Sequence, residues 1–197
     1  MRSLSQSHFA AAVAAIDTAN SADPTQVLVR GAVRPLALVH GELAAEWVAA
    51  LSPDADADAD ELVLLAARAH HLRRWEMPRS SYDAGKAGYL KWKRDQRQRH
   101  AHDVGELLAA VGYSAEEIEQ VQAMVLRRGP GGQLVEDAAC LVFIETQLAA
   151  VATQLDRDHL IDVIRKTAKK MSPAALAAVA RIPLGESEQQ LLAAALA

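Results

Sequence analysis

A single cysteine in 197 residues, Cys140, excludes an internal disulfide and fits a reducing compartment, the cytoplasm. Aromatic residues make up only 4% of the chain. A core must therefore be built from the abundant alanine and leucine, which lose little side-chain freedom in a helix. No apolar run approaches the roughly 18 uncharged residues that a membrane span needs. The opening MRSLSQSHFAAAVAAIDTAN is interrupted by Ser, His and Asp and reads as an amphipathic first helix, not a leader peptide. The net charge of −4 provides no basic excess for coating nucleic acid. Familiar catalytic signatures are missing too: there is no G-x-S-x-G, no P-loop glycine pattern and no H-E-x-x-H. Cys140 lies in the apolar run CLVFI without a cationic neighbour, which makes it a poor nucleophile.

What remains is helical patterning. The spacing predicts a first helix from about residue 5 to 18, then a short hairpin or extended loop at VLVRGAVRP. Helical periodicity returns in LALVHGELAAEWVAAL, which Pro53 should stop. The tract DADADAD (54–60) reads as a solvated linker whose last Asp caps the next helix. That helix, ELVLLAARAHHLRRW, is almost wholly apolar before its histidines and should run through the centre. A long helix is expected over 84–110, a capping box at Ser114 and Glu117, and a second buried helix in QLVEDAACLVFIETQLAAVATQL. DHLIDVIRKTAKKM follows, and Ser172-Pro173 marks another helix start. The expected architecture is all-α: one single-domain helical bundle over residues 1–197 with seven or eight helices, its C-terminal helices from 158 onward packed on the rest.

Five of the seven histidines, His40, His70, His71, His100 and His102, fall on the predicted core helices. The doublet His70-His71 at a helix end has a plain reading as cations on the helix dipole. Asp137 weighs against it, since a carboxylate one turn into LVEDAACLVFIE needs a cation, a metal or solvent. Imidazoles with one carboxylate suit Zn, Mn, Fe or Ni better than Mg or Ca. On the long helix Lys93, Arg97 and His100 fall at i, i+4 and i+7 and share one face. That row matches a phosphate in charge, Arg through its bidentate fork and Lys as a point charge. It also has a plain reading as a solvated charged face.

In order, these elements resemble the HD-domain superfamily of metal-dependent phosphohydrolases over about residues 30 to 145. A first-helix His is matched by His40 in LVHGELAAEWV. The His-Asp doublet closing a buried helix is matched by AARAHHLRRW, with His70 at the His and His71 where Asp is expected. HAHDVGELL is similar to a third-helix motif through His100, and EDAACL offers Asp137 as the last ligand. The run HHLRRWEMPRSSYDAGKAGYLKWK is similar to the proteins grouped as domain of unknown function 4202, a grouping that implies no activity.

The resemblance implies a divergent HD-like fold holding a divalent transition metal, one ion in preference to two because His71 replaces a carboxylate. His70, His71, Asp137 and His40 would be the metal ligands. His100, Arg73 and Arg74 would be the catalytic groups, and Lys86, Lys93 and Arg97 would bind a small phosphorylated metabolite or nucleotide. The competing expectation is a non-catalytic helical module binding an anionic ligand or partner protein in the same, degenerate cleft. RNA binding through 86–99 is a third reading, disfavoured by the charge balance. A homodimer is compatible with the sequence.

Overall fold

Alanine- and leucine-rich stretches do fold as helices. The computed structural model describes residues 2–52 and 57–196, with side chains for 7–52, 61–129 and 131–196. Helix α1 (Arg2–Asn20) leads to a hairpin of β1 (Gln26–Val29) and β2 (Ala32–Pro35), paired antiparallel with Gln26 opposite Pro35. Arg30 and Gly31 turn the hairpin with φ of 51° and 82°, as a two-residue turn with both central residues left-handed requires. Arg30 then pairs with Glu46 and Glu145, which clips the hairpin to the helices beneath it. Next come α2 (Leu36–Leu51), α3 (Ala57–Arg68), α4 (Gly85–Ala110), α5 (Ala115–Val125) and α6 (Gly129–Thr146). The chain ends in α7 (Leu148–Ala152), α8 (Arg157–Ala168), α9 (Pro173–Ala178) and α10 (Glu186–Leu196).

The all-α expectation holds, but the described residues contain ten α-helices plus three short 3-10 turns, not seven or eight. The extra helices come from breaks late in the chain. Gln147, at φ −124°, separates the five-residue α7 from α6, and the segment after Lys169 divides into α9 and α10. The acidic tract differs as well. Residues 53–56, including the expected Pro53 stop, lie outside the described residues, while Asp58 and Asp60 are already inside α3 and do not form a linker.

The larger correction concerns the helix expected through residue 75, which ends at Arg68. No Gly or Pro breaks it. A continuing helix would offer the Ala67 carbonyl to the His71 N–H. Here that carbonyl accepts from the His70 N–H (3.3 Å) and the His70 ring Nδ1 (2.7 Å). His70 and His71 therefore lie in a tight turn beyond the helix, followed by Arg73 at φ 50°, whose N–H donates to the Asn20 side chain (3.2 Å).

The centre is made by α2, α3 and α6 packed together, with α4 and α5 closing one side. Leu65, Leu72, Val104, Leu108, Val135 and Leu141 are wholly buried there. Leu160, Ile164, Ala175 and Leu192 from the C-terminal helices join the same apolar cluster. No described helix is long and apolar enough to cross a membrane. Asp23 serves α2 from a distance: its carboxylate accepts from the Ala37 N–H (2.9 Å), which the Pro35 cap cannot bond. The predicted capping box is present, with Ser114 and Glu117 bonded reciprocally.

Candidate metal and anion site

Three of the expected ligands converge. One donor atom from each of His40, His70 and His71 lies within 4.8 Å of the other two. Convergence depends on a close approach of α2 to the end of α3. A Cβ at Gly41, beside His40, would stand 2.5 Å from the Arg68 carbonyl oxygen, so only glycine lets the backbones meet there. Arg68 is fixed from the other side by a two-pronged pair with Asp17, at 2.6 Å for each prong.

Carbonyl partners fix which ring nitrogen carries the proton in two of the histidines, His70 and His100. The Thr146 hydroxyl donates to the Val142 carbonyl (2.7 Å), and His40 Nε2 stands 3.1 Å from both that hydroxyl and the Gln147 side-chain amide nitrogen. His40 Nδ1 lies 3.1 Å from His71 Nδ1. Two ligands of a tetrahedral ion, each about 2.05 Å from it, would be about 3.3 Å apart, so this spacing suits a shared ion as well as a hydrogen bond. His70 donates through Nδ1 to Ala67 O, and His100 donates through Nδ1 to Leu72 O (2.7 Å). Both rings therefore turn an Nε2 lone pair inward, and both Nε2 atoms are buried without a partner among the described residues. An imidazole anchored to a carbonyl through one nitrogen and free at the other is the usual form of a histidine ligand. The residues fit a metal ion on this ground, and the trio could hold one.

Burial holds these rings neutral. His40 is pushed down to about 4 and His100 to about 3, by burial first and then by the Arg74 charge. His70 and His71 lie well below the ordinary histidine value, again through burial, with Arg127 acting on His70 and neighbouring rings on His71. Neutral imidazoles present lone pairs near neutral pH without losing a proton first.

Asp137 is buried, but it is not one of the three converging groups. Its Oδ1 accepts from the Ser172 N–H (2.8 Å) and from Gln133 Nε2 (2.9 Å), which ties α6 to the start of α9. His100 stands just outside the trio, its ring centre 6.1 Å from that of His71. Arg74 packs over the Trp92 ring at 4.6 Å and has no carboxylate within ion-pair distance among the described residues. Arg73 lies 3.9 Å from Asp103. Lys93 and Arg97 line an open pocket on α4, and Lys86 is exposed near the start of that helix. His102 is exposed. Sequence reasoning missed Arg127, Arg128 and Thr146. The paired arginines before the Gly129 break were the available signal for the first two. Nothing local marks Thr146 as a partner of a histidine 106 residues earlier.

The model of the family described as "Domain of unknown function (DUF4202)" matches residues 10–192. No curated protein and no solved structure matches the chain.

Proposed function

Because the chain belongs to the family described as "Domain of unknown function (DUF4202)", which names no activity, we propose a function from the geometry: a metal-dependent phosphohydrolase with an HD-like fold, acting in the cytoplasm on a small phosphorylated metabolite or nucleotide. The observation that carries the proposal is the trio of neutral imidazoles with one ring nitrogen of each within 4.8 Å of the others. One divalent transition ion, Zn, Mn, Fe or Ni, would be held by His40, His70 and His71. When bound it would supply Lewis acidity at a phosphoryl oxygen. Arg74, without a carboxylate partner among the described residues, would bind the phosphoryl oxygens, and Arg73 would assist from the same turn. His100 Nε2, buried without a partner among the described residues, would accept a hydrogen bond from the attacking water and orient it. Lys86, Lys93 and Arg97 would draw in and orient the anion.

The experiment is elemental analysis of protein purified without a His-tag, followed by phosphatase and phosphodiesterase assays with added Zn²⁺, Mn²⁺, Fe²⁺ and Ni²⁺. The expected result is about one equivalent of bound ion, lost in His70→Ala, with turnover lost in parallel. A protein that neither binds an ion nor hydrolyses any panel member sinks the proposal. The absence of a carboxylate from the trio favours a second reading, a non-catalytic anion-binding module. Metal binding without turnover is its signature.

A further inference from the structure

The open pocket beside α4 has a volume of about 300 Å³ and four cationic walls, Lys93, Arg94, Arg97 and Arg128, with Gln98 and Leu126 between them. No acidic side chain among the described residues lines it. Two carboxylates stand behind the cations. Asp95 pairs with Arg94 (3.0 Å), while Glu136 is shared by Arg97 (3.4 Å), Arg127 (2.7 Å) and Lys170 (3.8 Å). Among the described residues, six cations therefore face two carboxylates. Lys93 and Arg128 have neither an ion pair nor a side-chain hydrogen bond among the described residues.

Such a cluster is unfavourable unless an anion joins it. The strain falls on Lys93, whose ammonium is pushed below the ordinary lysine value by burial, then by Lys170 and Arg97. The geometry suits a doubly anchored oxyanion. Lys93 and Arg97 lie one turn apart on α4, about 6 Å between Cβ atoms. Arg128, at the N-cap of α6, comes from a different element. A single carboxylate cannot engage all three, whereas the oxygens of two linked phosphoryl groups can. The volume is at the small end for ligand pockets, and it is a pocket, not a groove of the kind a nucleic-acid strand follows.

We propose that the pocket formed by Lys93, Arg97 and Arg128 is a binding site for a diphosphate group, as inorganic pyrophosphate or as the diphosphate of a nucleotide. This names the substrate class of the phosphohydrolase reading and rests on that reading for turnover, though not for binding. Lys93 and Arg97 share the face of α4 that continues to His100, so the site leads along the helix towards the histidine trio.

Calorimetric titration of the full chain in EDTA tests binding apart from any metal. Pyrophosphate should bind saturably and about tenfold more tightly than phosphate. Lys93→Ala/Arg128→Ala should weaken it about tenfold or more, and Lys93→Arg/Arg128→Lys should restore most of the loss. ADP binding as tightly as pyrophosphate, with AMP weaker, identifies a nucleotide ligand. Pyrophosphate alone identifies the free anion. No saturable pyrophosphate binding, or equal binding by the folded double Ala variant, overturns the proposal. So does tight binding of a single-stranded RNA of roughly 12 nucleotides that pyrophosphate fails to displace. Metal content of the same preparations separates the two readings. Pyrophosphate binding by a chain that takes up no ion overturns the phosphohydrolase and leaves the diphosphate site standing.

Discussion

Buried histidines make stability depend on pH in a definite direction. His40 titrates near 4 and His100 near 3 in the folded chain, against about 6.5 when unfolded. Between those values the unfolded chain binds more protons, so stability rises with pH through this window and levels off above it. Metal-free protein should therefore lose thermal stability as the pH falls from about 6.5 to 4, and His40→Gln should flatten the slope in a melting series. A linear or absent dependence would show that these rings are solvated. Glu136 is the counterpart at this scale. It is mostly buried and, among the described residues, is the one carboxylate paired with Arg97, Arg127 and Lys170. Burial tends to raise its pKa, but Arg127 and then Arg97 and Lys170 hold it below the ordinary carboxylate value. Glu136→Gln leaves Arg127 enclosed without a countercharge, which should cost about 3 kcal/mol in a denaturant titration. A change near zero would mean that solvent already screens the cluster.

Helices set the site through how closely they approach. Gly41 lets α2 settle on the Arg68 carbonyl, and that contact brings His40 to the turn carrying His70 and His71. Gly41→Ala should destabilise by about 1–3 kcal/mol and also abolish uptake of one equivalent of ion. Retained metal binding in this variant would sever the link between helix approach and ligand convergence. Ser114→Ala provides a contrast, since it removes only the capping box of α5. It should cost about 1 kcal/mol in thermal unfolding and leave metal content unchanged. At this scale the sequence was a good guide wherever local chemistry decides. The α5 cap and the full extent of α4 were legible, and the segment around Gly31 was narrowed to a hairpin or an extended loop. It misled at residues 69–75, because no local breaker ends α3. The His70 ring captures a carbonyl, and Asn20 holds the left-handed Arg73 from another helix.

Across the whole molecule, Asp137 joins the C-terminal helices to the centre. A carboxylate in that apolar helix needed an explanation, and the Ser172 N–H and Gln133 provide one. Asp137→Ala should lower stability by about 2 kcal/mol, expose residues 156–196 to limited proteolysis and leave the bound ion in place. Lost metal with unchanged stability would instead return Asp137 to the ligand set. By itself the sequence determined the all-α class, the capping box of α5, and the type of chemistry available: several histidines among apolar neighbours and a row of cations on α4. Those follow from composition and from spacing within a few residues. Only the tertiary structure decided which histidines meet, that His70 and His100 hold their protons on Nδ1, and that Arg128 faces Lys93 across a pocket. These depend on backbones approaching across tens of residues of chain, and no periodicity records such an approach.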